Sequence, residues 1–560
     1  MHTFMNIRFK ILAPVRDKFR FGTLSFIFIV AYINVFQLIF GPENSIVGVI
    51  FTIMMSASMA RDLTAAPVRH LIAQSLVLVW MALAAYWVNA LPMPMSFMIN
   101  FVTLLGILYA FTYEYSSHLY FPYILSYLFL IYISPVSGAQ LPRRLMAMLA
   151  GAVSIMLYQW FMGRKRVVET AKDVLCGMID MISHYIGSRL EGSVDAPDFP
   201  YMRSRLYQLS RTVYERRKRI LCISDASFYM VDAGRGLEHL LVLINELPAP
   251  LCRNDRDLLI NVRSRLAAFH SFLQQETGGI PLIDSSVPAA PESSKTSVLF
   301  QNSLNYIRDR LLHMTDPQNR SRYRETSLSF RFRLMAALDL SPVRAVYALR
   351  TALVLSAAAC LVQAGRWLLF TLASVSLPYA DDVPAKTKKR ILATITGGLA
   401  SVVIYSLVPS AAGRTAAMML SGYLSFYFTD YAETFACSTI GALGGAVFMN
   451  AFGFWQVGNI FIIRLGYILA GAALGLIANC YIIPYSRSMA TRHLLTKYQT
   501  LTELLTRICS ADYVDTQLYY SLVIQAHLQE EKLASNAYLE DWAEVPDILA
   551  KCREKVHNAH

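Results

Sequence analysis

Between Arg344 and Gly398 the chain sets ionisable side chains into an otherwise apolar stretch. An apolar hairpin from Ala345 to Leu377 is broken by Pro378-Tyr379-Ala380-Asp381-Asp382-Val383-Pro384-Ala385-Lys386-Thr387-Lys388-Lys389-Arg390, and apolar residues then resume through Thr394 and Gly397-Gly398. At 1.5 Å per helical residue the limb from Arg366 to Tyr379 covers roughly 21 Å, short of the roughly 30 Å hydrocarbon core of a bilayer. Asp381, Asp382, Lys386, Lys388, Lys389 and Arg390 therefore stand at or inside a membrane edge. Charges are costly there unless they face a water-filled cavity or a packed interface, so a substrate or proton pathway is the first chemistry to consider. Asp381 or Asp382 could exchange a proton, take part in gating, or pair with Arg350 or Arg390. Arg350, Arg390 and Lys386 could attract an anion, with Trp367 lining or bracing its path. The plainer alternative, above all for the lysines, is a charged cytosolic loop that obeys membrane topology.

A similar break occurs earlier, where a short apolar segment ends in Arg61-Asp62-Leu63-Thr64-Ala65-Ala66-Pro67. Interrupted segments at corresponding positions of two halves point to a transport site, which adds Arg61 and Asp62 to the candidates. The turns Phe111-Thr112-Tyr113-Glu114-Tyr115 and Phe428-Thr429-Asp430-Tyr431-Ala432-Glu433 also match, each setting an acid beside a tyrosine. Desolvated carboxyl groups are the usual proton carriers of transporters, so Glu114, Asp430 and Glu433 are candidates for coupling, against a bland reading as tight turns with interfacial tyrosines. Arg464, just inside the last apolar segment, either snorkels to the surface or lines the pathway. Gly441 with Gly445 and Gly471 with Gly475 have the spacing of close helix packing. No glycine-rich phosphate loop or nucleophile elbow appears, and the eight scattered cysteines form no metal-ligand pattern. The chain is expected to be no enzyme and to carry no metal or cofactor.

The scaffold for these residues follows from composition. Of 560 residues, 55% are hydrophobic and 16% charged, and mean hydropathy is +0.40, with the apolar residues gathered into two long blocks. Apolar segments run at about 22–40, 46–60, 68–89, 97–112, 119–135 and 143–162, then at about 345–363, 366–380, 390–408, 415–429, 434–450 and 460–483. The nearly constant offset between the two sets predicts an internal repeat, and an even number of segments per repeat makes the two halves parallel. The net charge of +13 lies mainly in segments flanking the blocks, as cytoplasmic loops require, so nucleic acid is not the expected partner. Arg143 and Arg144 break that pattern locally. Met1 to Arg20 lacks a signal-peptide cleavage pattern, so the first apolar segment is read as a retained span.

The expected fold is all-α: a polytopic membrane protein of two parallel repeats of about six transmembrane helices, with a cytoplasmic helical bundle after each. Residues 1–21 form a basic cytoplasmic N-terminus, 22–162 the first transmembrane repeat, 163–344 a cytoplasmic helical domain, 345–485 the second transmembrane repeat, and 486–560 a cytoplasmic helical tail.

The second repeat resembles the fusaric acid resistance (FUSC) family, which includes bacterial aromatic acid exporters and is related to the plant aluminium-activated malate transporters. Arg350, Trp367 with Thr371, Pro378, and Arg390 with Thr394 and Gly397-Gly398 carry the resemblance. They match a short Trp-containing helix, a proline-ended break, and a helix opening Arg-x-x-x-Thr-x-x-Gly. The first repeat looks like the same unit degenerated, with Glu43-Asn44-Ser45 leading into its short helix and no tryptophan where Trp367 stands. The resemblance implies a proton-driven exporter of small organic acids, aromatic carboxylates among them, in the bacterial cytoplasmic membrane; charge bias, with the basic N-terminus and Gly163-Arg164-Lys165-Arg166 on one side, places both termini in the cytoplasm. The resemblance also implies a small organic anion and membrane lipids as partners, and allows a periplasmic adaptor protein or a homo-oligomer. Two other readings stay open: a passive organic-anion channel, and a non-transporting membrane scaffold or sensor whose cytoplasmic bundle binds a protein.

Overall fold

The computed structural model describes residues 2–59, 66–115, 118–163, 166–192, 196–217, 222–275, 295–323, 341–361, 366–408, 410–428, 430–448, 454–510 and 515–558. Arg61 and Asp62 lie outside the described residues, as does the Gly278 to Ser294 linker. Every regular element among the described residues is helical. The chain divides into two compact units: Met1–Ala60, Val68–Leu157 and Leu340–Ala490 form one, and Arg61–Pro67, Tyr158–Asp339 and Thr491–His560 the other.

Among its described residues the first unit holds twelve α-helices at the positions of the twelve apolar segments. These are α1 (His2–Phe40), α2 (Ser45–Ser58), α3 (Pro67–Ala90), α4 (Met93–Phe111), α5 (Tyr120–Tyr132) and α6 (Leu141–Gly163). After the intervening helices α7 to α12 come α13 (Pro342–Leu361), α14 (Arg366–Val375), α15 (Val383–Leu407), α16 (Ala411–Leu424), α17 (Tyr431–Phe448) and α18 (Phe454–Ile477). Among the described residues seven helices are long and apolar enough to cross a bilayer, on α1, α3, α4, α6, α13, α15 and α18. Length and composition thus make this a membrane protein. The rest include three helices of 14, 13 and 14 residues, α2, α5 and α16. Shortest is α14, whose 10 residues span about 15 Å, half a bilayer core. The proline at 378 ends its limb, because a residue before proline is pushed out of helical geometry.

Close helix approach fixes the arrangement. A Cβ built at Gly397 of α15 would lie 2.5 Å from the Ala436 carbonyl oxygen on α17, and one at Gly471 of α18 would lie 2.5 Å from the Leu368 carbonyl oxygen on α14. Only glycine permits such contacts. Aromatic contacts knit the two halves: Tyr120 of α5 meets Tyr347 of α13 at 4.8 Å between centroids, and Phe129 meets Phe370 of α14 at 5.1 Å. Arg344 donates to the Tyr109 carbonyl at the end of α4, at 2.7 Å, and stacks over its ring.

The second unit is built from α7 (Arg166–Glu191), α8 (Phe199–Arg216), α9 (Asp225–Glu246), α10 (Arg253–Gln275), α11 (Lys295–Thr315), the short α12 (Pro317–Ser321), most of α19 (Arg487–Cys509), α20 (Thr516–Glu540) and α21 (Glu544–Asn558). The middle segment and the C-terminal tail, read from sequence as two domains, form one body. The tail contributes its core: the Gln517 side chain of α20 accepts from the Ile223 N–H at 3.0 Å and donates to its carbonyl at 2.8 Å. Buried acids tie the helices together. Asp232 of α9 accepts from Tyr306 at 2.5 Å, and pairs with Arg310 at 2.9 Å and Arg235 at 3.2 Å. Glu530 of α20 pairs with Arg553 of α21 at 2.9 Å.

Two outcomes follow from this packing. Gly397→Ala, which drives a methyl group into the α17 backbone, is expected to cost about 1–3 kcal/mol, seen as a lower thermal midpoint of the detergent-solubilised protein. His527 of α20 shares a hydrogen bond with Ser210 of α8, and desolvation, reinforced by the Arg235 charge, pushes its imidazole down to about 3. The unfolded chain protonates His527 near 6.5, so this contribution is complete above that pH and is lost as pH falls from 6.5 toward 3, by up to about 1.4 kcal/mol per unit. His527→Gln should flatten the fall in thermal midpoint between pH 7 and pH 5. Glu530, whose carboxyl burial raises, acts in the opposite sense and is common to both proteins.

Candidate functional site

The polar break follows α14. Ala380–Asp382 forms a single 3-10 turn, and Val383-Pro384 starts α15, where proline suits the first helical turn because its missing N–H would have no partner there. Arg350, on the buried face of α13 and 1% exposed, closes the break from beneath. It donates to the carbonyls of Leu377 at 2.5 Å, Pro378 at 3.4 Å and Ile483 at 2.9 Å. A guanidinium thus satisfies the carbonyl ends of two helices, as dipole and donor count both favour. Its observed partners are backbone carbonyls, and neither Asp381 nor Asp382 is among them.

Those acids turn toward Arg487 at the start of α19. Asp381 accepts from the Arg487 backbone N–H at 2.6 Å, capping that helix, and Asp382 pairs with the Arg487 side chain at 2.5 Å. Asp381 is exposed and Asp382 half-buried. The turn candidates diverge in the same way. Asp430 forms an exposed ion pair with Lys389 at 2.7 Å, and Glu433 is exposed. Glu114 is more enclosed, close enough to Tyr379 and Tyr485 for its charge to act on both.

The cations on the inner face of α15 behave differently. Lys386 and Arg390 are one helical turn apart, so they share a face. Tyr431 and Phe435 have the same spacing on α17, and the two pairs mesh: Lys386 lies 5.4 Å from the Tyr431 ring centroid and the Arg390 guanidinium 4.2 Å from that of Phe435. Arg464 of α18 stacks 4.0 Å over Trp367 of α14. Arg390 is 7% exposed and Arg464 4%, and the charge of Arg390 acts on both Lys386 and Arg464. Among the described residues none of the three forms an ion pair, and Nε of Arg390 and Nε and one terminal nitrogen of Arg464 have no hydrogen-bond acceptor.

Four helices therefore bring together three cations, each backed by an aromatic ring. A ring covers the flat face of a guanidinium and leaves its N–H edge free, which is the edge that grips a carboxylate in two-point fashion. The arrangement can bind an anion. Phe435 was not legible as a site residue, and Arg464 could not be chosen between two roles. The signal that finds Phe435 is the equal spacing of Lys386-Arg390 and Tyr431-Phe435. Thr394 and the motif glycines serve the helix itself: Thr394 donates to the Arg390 carbonyl at 3.0 Å, and the glycines admit α17 and α18.

Arg350→Ala removes donors from three carbonyls and is expected to destabilise the protein by about 2–4 kcal/mol, measured as reduced monodisperse protein after solubilisation. Full recovery with a wild-type midpoint would reject the bracing role. No family model, curated protein or solved structure matches the chain.

Proposed function

We propose that the chain is a secondary transporter that exports small organic acids, aromatic carboxylates among them, across a bacterial cytoplasmic membrane at the expense of the proton gradient. The observation that carries this reading is the pair of buried arginines Arg390 and Arg464, with half-buried Lys386 beside them and no ion-pair partner for any of the three among the described residues. Removing such ions from water costs several kcal/mol each when nothing neutralises them, and an anion from outside the chain supplies the neutralising charge. The half-bilayer length of α14 beside this group supports a pathway, since interrupted helices mark transport sites.

In this reading twelve membrane segments form two parallel repeats, with both termini and the polar unit cytoplasmic. Matching contacts 320 residues apart support the repeat. Gly151 of α6 packs on Phe51 of α2, and Gly471 of α18 on Leu368 and Thr371 of α14. A periplasmic adaptor or a second copy of the chain is compatible with this reading, which depends on neither. A passive organic-anion channel is the second reading. It is favoured by the engagement of Asp381, Asp382 and Asp430 at partly or fully exposed caps and ion pairs, which leaves Glu114 as the enclosed acid candidate.

Retention of labelled 4-hydroxybenzoate in cells expressing the wild-type chain or Arg390→Gln, with and without a protonophore, tests both. Lower retention with the wild-type chain, abolished by the protonophore and absent in the variant, is the expected result. Loss of label that ignores the protonophore would favour the channel. Equal retention in every case, with the protein verified in the membrane, would reject both for this substrate.

A further inference from the structure

Two buried arginines occupy matching places in the first unit, 320 residues apart, and their surroundings differ. Arg144, on α6 and 1% exposed, is held by the chain itself. Its Nε donates to the Asn44 side chain at 2.5 Å, one terminal nitrogen to the Ser134 carbonyl at 3.2 Å, and the other to the Glu43 carbonyl at 2.9 Å and the Ser134 hydroxyl at 2.8 Å. All three nitrogens have acceptors. Arg464, on α18, stands over Trp367, and its Nε and one terminal nitrogen have no acceptor among the described residues.

Arg464 lacks the acceptor oxygens that Arg144 has. Arg144 is satisfied by acceptor oxygens presented along its N–H edges, and a carboxylate presents two such oxygens in one rigid group. It also brings a negative charge, which Arg464 needs more than Arg144 does because Arg390 acts on it with like charge. A neutral amide could mimic the shape of that group, but would leave the like charges of Arg390 and Arg464 uncompensated.

We propose that Arg464, with Arg390, is a carboxylate-binding site for a small organic anion, and that Arg144 is its internally satisfied counterpart, so that each chain carries one such anion site, in its second half. The proposal rests on the transporter reading and deepens it: it names the carboxylate as the group gripped, Arg464 as the residue that grips it, and one such site per chain. Trp367 acts here as a positioning residue: its ring holds the Arg464 guanidinium flat and its N–H edge presented.

The test is calorimetric titration of the full-length protein in nanodiscs with benzoate and with benzamide. Saturable benzoate binding is expected, at least tenfold weakened in Arg464→Gln and intermediate in Arg464→Lys, which keeps the charge but not the two-point grip. Benzamide should bind at least tenfold more weakly than benzoate to the wild-type protein. That comparison needs no variant and decides the matter even where a substitution impairs folding. Wild-type protein that binds neither compound, or both equally, would overturn the site, as would Arg464→Gln with wild-type affinity. Benzoate binding that depends on Arg464, in cells that show no export, would uphold the site and reject the transporter reading. Export unaffected by Arg464→Gln would do the reverse.

Discussion

An arginine taken out of water must find acceptor oxygens or a counter-charge, and this requirement organises the apolar unit. The effective cost of an uncompensated ion is several kcal/mol, comparable to the whole stability of many domains. Arg144, Arg344 and Arg350 find carbonyls at helix ends, where backbone oxygens have no partner within their own helix, although Nε of Arg350 has no acceptor. Each joins segments distant in sequence: Arg144 reaches the approach to α2, Arg344 the end of α4, and Arg350 the break after α14 and the turn after α18. The arginines thus hold together helices that apolar contact alone, in a solvent as apolar as the side chains, would hold weakly.

Against that pattern Arg390 and Arg464 are exceptions. Their flat faces rest on Phe435 and Trp367, contacts that supply some attraction but no negative charge. Two like charges near each other in a buried place raise the cost further. A fold retains such an arrangement when something else repays it, and an anionic ligand is the simplest agent. The same physics explains why the acids of the break lie elsewhere. Neither Asp381 nor Asp382 forms an ion pair with Arg390 or Arg464; Arg487 draws both toward the start of α19, from where the Asp382 charge still acts on Lys386.

The polar unit follows the ordinary rule for water-soluble bundles. Its buried acids have cations beside them, Asp232 with Arg235 and Arg310 and Glu530 with Arg553. Such pairs contribute little net stability over apolar packing, yet they penalise any register that separates the partners. Because Glu530 and Arg553 both lie in the tail while Gln517 pairs with Ile223 in the middle segment, the two segments are specified as one body.

What the sequence by itself determined was local. Runs of apolar residues, prolines and glycines set the positions of the twelve helices described in the apolar unit, because helix formation and its interruption depend on neighbours within a few residues. The same local information marked the break between α14 and α15 and selected Arg350, Trp367, Lys386 and Arg390. Partnership was a different matter. That Arg350 would serve carbonyls, that Asp381 and Asp382 would turn to Arg487, and that Arg464 would join Arg390 through rings on two other helices depended on which helices approach closely. Glycines such as Gly397 and Gly471 permit that approach, but their residue type does not name the helix that comes near. Only the tertiary structure decided it, since contacts between residues hundreds of positions apart are set by the packing of whole helices, which no short window of sequence contains.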